Sequence, residues 1–375
     1  MLNDEAVEKV LVRARREVDE GLLPSCQLAL AQDGEIVVNE TFGSATGQTR
    51  YVMFSATKAV VAGAAWQLIG DGSLEVDRRV VDYIPEFGTN GKDIVTVEQV
   101  MLHTSGFPQA PLGPPDWETR ASRLERFGRW RLNWEPGTRY EYHPTSAHWV
   151  LAELIERVAG SDYRQVVNER VCGALGLNTL RLGVPASEQG DVAELVLCGS
   201  APTPDELQAA FGVSELPVTE VTDEALIGFN DPTAREVGVP GGGGITTAAD
   251  LALYYQALLH NTREVWKPDV LADATGRVRN RMPDPLLGVP ANRSLGLVLA
   301  GDDGASAQRG MGHTVSPATF GHNGAGGQIA WADPKSGVSF AYLTNGLDRQ
   351  VLRLWRRGSA LSSLAGACAT GSSAG

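Results

Sequence analysis

The chain has 375 residues, of which 43% are hydrophobic and 21% are charged, as in an ordinary folded globular protein. Lys and Arg total 32 against 45 Asp and Glu, so the formal net charge is -13. This charge repels nucleic-acid phosphates and anionic membrane surfaces, and the sequence predicts neither as a partner. The length accommodates two or three domains, or one enzyme built from two lobes.

Signals for export, membrane insertion and metal binding are missing from the sequence. The first residues are acidic and amphipathic instead of basic and then apolar, and no apolar run reaches about 18 residues. The cysteines do not have the spacing of a metal site or a disulfide framework; they are Cys26, Cys172, Cys198 and Cys368. We therefore expect a cytoplasmic protein without a metal or other cofactor.

The N-terminal part of the chain predicts a helix followed by a hairpin. Residues 4–20 place apolar side chains at helical spacing. Residues 26–31 and 35–41 are rich in strand-forming residues and flank Asp33-Gly34, a strong hairpin signal. Residues 55–69 are apolar on nearly every face except at Lys58, which is typical of a buried helix.

The remaining elements are predicted from periodicity and turn residues. Residues 199–239 have weak periodicity and predict a long surface excursion that roofs a pocket. The other predicted elements are a helix at 146–158, a helix at 248–259 capped by Thr247, a hairpin of 328–332 with 338–344, a helix at 352–364 and a flexible tail at 367–375.

Strands near both ends with helices between them predict an α/β (α+β) fold with an antiparallel sheet flanked by helices. We expect an α/β lobe from residues 1–54 and 240–366, and an inserted, mostly helical lobe from residues 55–239. The active site is expected between the two lobes.

Ser55 and Lys58 form an S-x-x-K pattern, which places a hydroxyl and an amine on one face of a helix. A lysine in an apolar helix has its charged form disfavoured and can act as a base toward a neighbouring hydroxyl. The competing interpretation is a capping serine with an outward-reaching lysine. The apolar residues around Lys58 leave it no solvent-exposed face, which favours a catalytic pair.

Tyr142 follows the Trp134-Glu135-Pro136-Gly137 segment and precedes a predicted helix. A lysine ammonium nearby would stabilise its phenolate, which could relay a proton. Taken alone, Tyr142 could equally be a packed aromatic residue whose hydroxyl is hydrogen-bonded.

Residues 321–327 contain four glycines, His322 and Asn323 at the start of a predicted strand. Glycines allow a backbone to approach a ligand closely, so an N–H here could form half of an oxyanion hole. The alternative is a plain glycine-rich turn. The segment matches neither a dinucleotide loop nor a Walker motif, so phosphate binding is not predicted.

His103 and His143 are two further histidines close to these motifs. His103, followed by Thr104-Ser105-Gly106, is interpreted as a structural hydrogen-bonding residue. His143 could tune the site or face solvent. Ser105 does not have the sequence context of a nucleophile elbow, and no histidine cluster has metal-ligand spacing.

In this order, the motifs resemble the serine β-lactamase and penicillin-binding-protein superfamily, in particular class C β-lactamases and family VIII carboxylesterases. The similarity covers most of the chain. It is carried by residues 54–58, 67–74, 102–106, 134–137 with Tyr142, 242–250, and 322–324 with the following hairpin.

The resemblance implies a β-lactamase-like fold and a role for each matching residue. Ser55 would be the acylated nucleophile, Lys58 its base partner and Tyr142 the proton relay. His322-Asn323-Gly324 would line the substrate site, and the N–H groups of Ser55 and Ala325 would form the oxyanion hole.

Two departures from the family pattern bear on the substrate. Pro144 stands where β-lactamases of this type have asparagine, and it has neither a side-chain amide nor an N–H. His322 stands where the family has lysine or histidine, and histidine in place of lysine removes a permanent positive charge that would pair with a substrate carboxylate. Both changes favour neutral small-molecule esters.

The sequence therefore predicts a serine carboxylesterase. The alternatives with the same chemistry are a β-lactamase, a D-amino-acid peptidase or amidase, and an acyltransferase. An inactive binding module is the alternative outside enzymology. The sequence does not specify the acyl chain, the alcohol or the oligomeric state.

Overall fold

The computed structural model describes residues 2–215 and 219–369. The strands are β1 Ser25–Gln32, β2 Glu35–Gly43, β3 Tyr51–Val52, β4 Arg181–Leu182, β5 Val196–Cys198, β6 Gly244–Thr246, β7 Val298–Leu299, β8 Phe320–Gly321, β9 Ile329–Asp333, β10 Val338–Thr344 and β11 Gly346–Asp348. The helices are α1 Asp4–Asp19, α2 Thr57–Gly70, α3 Val97–Met101, α4 Arg120–Arg129, α5 Ser146–Ala159, α6 Tyr163–Val166, α7 Pro204–Phe211, α8 Asp223–Ile227, α9 Pro232–Val237, α10 Ala248–His260, α11 Pro268–Gly276 and α12 Val351–Gly366.

The main sheet has six antiparallel strands in the order β2-β1-β10-β9-β8-β7. Both predicted hairpins are confirmed as β1-β2 and β9-β10. Asp33 and Gly34 both have positive φ, 55° and 81°, as a tight two-residue hairpin turn requires. Strand β1 also pairs with β10, from Cys26 opposite Thr344 to Gln32 opposite Val338, so the N- and C-terminal parts of the chain share one sheet.

Side chains alternate between the two faces of this sheet. Leu28 and Leu30 of β1 belong to the apolar cluster with α1 and α12, whereas Ala29 and Ala31 belong to the cluster with α2 and α10. Small residues on the second face let α10 pack closely against β1 and β10. The sheet is therefore covered by helices on both faces, as predicted.

Helix α2 is buried along nearly its whole length and packs against α5. It is preceded by a 3-10 turn at Phe54–Ala56, so the predicted helix from residue 55 begins in α geometry only at Thr57. The predicted helices at 146–158, 248–259 and 352–364 are confirmed as α5, α10 and α12. Thr247 caps α10 by accepting a hydrogen bond from the Asp250 N–H.

The excursion at 199–239 contains three helices, α7, α8 and α9, which sequence periodicity did not predict. The expectation of a flexible tail is wrong for residues 367–369, because Cys368 is buried and its carbonyl accepts a 2.8 Å hydrogen bond from Asn3 N. Residues 370–375 of that predicted tail lie outside the described residues. The division into lobes at 54/55 and 239/240 stays a prediction.

No described helix combines the length and the apolar character needed to cross a membrane.

Candidate active site

Ser55 lies at the junction between strand β3 and helix α2. Strand β3 pairs with β6, which fixes the chain just before the junction. Phe54 then has φ 45°, an unfavourable conformation for a residue with a side chain, and Ser55 follows in the 3-10 turn. Such backbone strain persists where the surrounding structure imposes it, and it is often found at functional sites.

Lys58 is fully buried, and its amine lies next to the Ser55 hydroxyl. Its Nζ is 3.1 Å from Ser55 Oγ, and it donates to the carbonyl oxygens of Pro144 at 2.7 Å and Gly241 at 2.6 Å. Burial lowers the pKa of Lys58 well below its usual value, and the positive charge of Arg293 lowers it further. The predicted Ser55–Lys58 pair therefore exists, and its amine is poised to be neutral.

The two carbonyls that hold Lys58 were not predicted. The sequence-based prediction for Pro144 concerned only the N–H and the side-chain amide that proline does not have. In the structure, the carbonyl oxygen of Pro144 accepts a hydrogen bond from Lys58. Gly241 must approach closely, since a Cβ there would lie 2.9 Å from Pro144 O and 3.4 Å from Lys58 Nζ. The run of four glycines from 241 to 244 was the available signal for this approach.

Tyr142 lies beside Lys58, whose Nζ is 5.1 Å from the centre of the tyrosine ring. The hydroxyl of Tyr142 is buried and has no hydrogen-bond partner among the described residues. Burial raises the pKa of Tyr142, which Arg293 and the nearby Ser55 hydroxyl partly offset. Burial therefore favours the neutral forms of both groups, whereas the sequence predicted a phenolate stabilised by a lysine ammonium.

His322 is buried near Tyr142, with their ring centres 6.1 Å apart. Arg293, which sequence reasoning missed, lies 3.1 Å from His322 Nε2 through its Nη1 and donates through Nε to Tyr140 Oη at 3.1 Å. A guanidinium can only donate, so His322 Nε2 accepts and its Nδ1–H donates to Asn323 O. Burial and Arg293 keep the pKa of His322 well below its ordinary value.

The sequence predicted that the site has no permanent positive charge because position 322 is not lysine, and Arg293 corrects this prediction. Its guanidinium carbon lies 5.1 Å from the centre of the Tyr142 ring. An arginine remains charged at all relevant pH values. The region around His322 therefore has a permanent positive charge after all, supplied from 29 residues earlier in the chain.

Residues 323–325 form a turn that packs against Ser55. The Asn323 side chain donates to Gly310 O and accepts from Ala330 N, so both ends of its amide hold the turn. A Cβ on Gly324 would lie 2.2 Å from Met53 O, so only glycine lets the two segments meet. Ala325 begins the next 3-10 turn, Ala325–Gly327, and packs in the apolar cluster that contains Phe54.

The backbone N–H groups of Ser55 and Ala325 are not among the donors of the turn and loop hydrogen bonds in the described part of the chain. Two such groups on adjoining turns could donate to a single oxygen atom.

His103 accepts a hydrogen bond from His143 N at 3.1 Å through Nδ1, which confirms its structural role. His143 is fully buried, and its Nε2 is 3.1 Å from Ser105 Oγ. A solvent-facing His143 is therefore excluded. In the described ranges, no group of three or more His, Cys, Asp or Glu residues could hold a metal ion.

Comparison with known proteins gives consistent matches over almost the whole chain. The esterase/beta-lactamase LipL of Mycobacterium tuberculosis is 29% identical in an alignment of 351 positions that covers 85% of this chain and 76% of LipL. A family VIII carboxylesterase structure has a TM-score of 0.78 at 27% identity and covers 97% of both chains. A penicillin-binding protein homologue from Caulobacter crescentus has a TM-score of 0.77 at 28% identity and covers 96% of both chains.

The family model described as Beta-lactamase matches residues 11–361. The protein has the β-lactamase-like fold, with esterases among its structural neighbours. The chain therefore belongs to the Beta-lactamase family and is a hydrolase of that superfamily.

Proposed function

We propose that the protein is a serine carboxylesterase that forms an acyl-enzyme on Ser55. The observation that carries the proposal is the environment of the Lys58 amine. A neutral amine has two N–H bonds and one lone pair, and the carbonyls of Pro144 and Gly241 take the two N–H bonds. The lone pair then faces Ser55 Oγ at 3.1 Å and can accept the hydroxyl proton.

The reaction follows from this arrangement. Ser55 Oγ attacks the ester carbonyl as its proton passes to Lys58 Nζ, and the oxyanion that forms is bound by the N–H groups of Ser55 and Ala325. The neutral phenol of Tyr142 donates a proton to the departing alkoxide and regains one from Lys58. Water then attacks the acyl-enzyme by the same steps in reverse, which releases the acid and restores the Ser55 hydroxyl.

Two observations favour esters. Pro144 has neither an N–H nor a side-chain amide for the acylamino group of a β-lactam. In addition, relatives over most of the chain are named as an esterase/beta-lactamase and a family VIII carboxylesterase.

The test is hydrolysis of p-nitrophenyl acetate, butyrate and octanoate beside nitrocefin. We expect ester turnover that disappears in Ser55→Ala, together with covalent labelling by a fluorophosphonate in the wild type only. Ser187→Ala, at an exposed serine, is the matched control and should behave as wild type. Turnover or labelling that persists in Ser55→Ala would contradict the proposal.

Arg293 favours a second candidate, a β-lactamase or D-amino-acid peptidase whose substrate bears a carboxylate. A guanidinium beside His322 could pair with that group. Nitrocefin turnover that exceeds ester turnover and falls at least about tenfold in Arg293→Met would favour this candidate. Product analysis with added alcohols or amines would distinguish hydrolysis from acyl transfer.

A further inference from the structure

Glu220 is a half-buried carboxylate on the wall of the site that holds Lys58. Its Oε2 accepts a hydrogen bond of 3.3 Å from Thr145 Oγ1. Thr145 directly follows Pro144, whose carbonyl binds Lys58. A Cβ built on Gly241 would lie 3.2 Å from Thr145 Cα as well as 3.4 Å from Lys58 Nζ, so these groups line one wall.

The excursion that carries Glu220 also contacts the 3-10 turn that contains Ser55. Phe229, on the same excursion, contacts Phe54 edge to face with ring centres 5.5 Å apart. A Cβ on Gly242 would also lie 3.5 Å from the Phe229 ring. Phe229 therefore covers the backbone just before Ser55, and Glu220 lies earlier on the same excursion, against Thr145.

The charge of Glu220 has no permanent counterion. Within residues 2–215 and 219–369, no basic side chain forms an ion pair with it; the salt bridge of this segment is that between Arg349 and Asp223. Lys58 attracts Glu220 electrostatically, but that amine is itself disfavoured as a cation. Burial raises the pKa of Glu220 to about 7, as expected for a partly desolvated carboxyl group that has no cationic partner.

We propose that Glu220 binds a positively charged group, an ammonium or quaternary ammonium, on the substrate of this esterase. The proposal rests on the proposed function and specifies its substrate class. Leaving a partly desolvated carboxylate unpaired is unfavourable, and an incoming cation would relieve that cost. The Coulomb attraction is also stronger at this partly dry wall than in bulk water.

The test uses pairs of esters that have the same shape and differ in charge. For the acyl side, the pair is p-nitrophenyl 4-(trimethylammonio)butanoate and p-nitrophenyl 5,5-dimethylhexanoate. For the alcohol side, it is butyrylcholine and 3,3-dimethylbutyl butyrate. The ratio of kcat/KM, cationic over neutral, is measured at about pH 8.5, where the carboxyl group is ionised.

We expect a ratio of about 10 or more in at least one pair, equivalent to about 1.4 kcal/mol. Glu220→Gln should bring that ratio to about 1, whereas Glu224→Gln, at an exposed glutamate on the same excursion, should keep it. A substitution that lowers kcat/KM for both esters equally leaves the ratio of cationic to neutral ester unchanged.

Two outcomes would overturn the role of Glu220 and leave the esterase proposal intact. In the first, the wild type hydrolyses the neutral esters and shows no preference for the cationic ones. In the second, the preference for the cationic ester remains in Glu220→Gln. No serine-dependent turnover of any of the four esters would overturn both.

Discussion

The pKa and the orientation of the Lys58 amine depend on residues far from it in the chain. The S-x-x-K spacing predicts that Ser55 and Lys58 are neighbours, and they are 3.1 Å apart. The charge on Lys58 is disfavoured by its complete burial and by the positive charge of Arg293, which lies far away in the sequence. The carbonyls that orient the amine, at Pro144 and Gly241, are 86 and 183 residues away.

The first prediction is that Lys58→Met lowers kcat for p-nitrophenyl butyrate by about 10³-fold, the range expected when a general base is removed. Methionine preserves much of the buried volume, so the far-ultraviolet circular dichroism spectrum should be unchanged. Lys335→Met, at an exposed lysine, is the control and should retain full activity. A folded Lys58→Met variant with wild-type kcat would show that the amine is structural.

The second prediction concerns the acid side of the pH–rate profile. In the proposed mechanism the neutral Lys58 amine is the active form, and its pKa lies below the ordinary value, so activity is expected above that lowered pKa. Activity is lost as the pH falls through that pKa and the amine takes up a proton. Measured kcat/KM for p-nitrophenyl butyrate should therefore decrease toward pH 5, and a flat profile would contradict the role of Lys58.

At the scale of elements, the turn after β8 is positioned by the fit between two backbones. Gly324 has an ordinary φ of −113°, so its requirement for glycine is steric and not conformational. The Asn323 side chain holds this turn through hydrogen bonds at both ends of its amide. We therefore expect Asn323 to support the site and not to contact the substrate.

The third prediction is that Gly324→Ala pushes the turn at Ala325–Gly327 away from Ser55 and lowers kcat/KM for p-nitrophenyl butyrate at least about tenfold. Relief of the clash with Met53 O should cost about 1–3 kcal/mol of unfolding free energy. Denaturant unfolding and ester kinetics measure both effects. Gly47→Ala, where a Cβ meets open space, is the control; equal activity of both variants would refute the steric account.

The elements that periodicity and turn residues predicted are the ones that match the structure, including α1, both hairpins, α5 and α10. The excursion at 199–239 was missed because its helices are short and do not bury a continuous apolar stripe. A local signal was nevertheless present: Thr203 and Glu206 form a capping box around Pro204, and Thr222 and Asp231 cap the next two helices.

At the scale of the whole molecule, the interior holds four buried histidines: His103, His143, His148 and His322. Burial lowers the pKa of each well below its ordinary value, and that of His143 to about 3. Between the ordinary and the lowered pKa, the unfolded chain binds protons that the folded protein does not. Stability is thus retained above about pH 6.5 and lost as the pH falls below it.

The fourth prediction is a marked loss of stability between pH 7 and pH 5. Each buried histidine contributes up to about 2 kcal/mol to the loss, and uptake of a proton by Glu220 in the folded state offsets part of it. Urea unfolding at the two pH values measures the difference in unfolding free energy. An unchanged value would show that these histidines are protonated in the folded protein.

The sequence by itself determined the family resemblance, the main hairpins and helices, and the Ser55–Lys58 pair, because these depend on residue spacing within one element or one turn. The apolar residues around Lys58 also predicted that its charged form is disfavoured. Only the tertiary structure decided the protonation preference of Tyr142, the roles of Pro144 and Gly241, and the return of a positive charge through Arg293. Burial, desolvation and contacts between distant segments set those properties, and residue spacing within one element does not specify which segments meet.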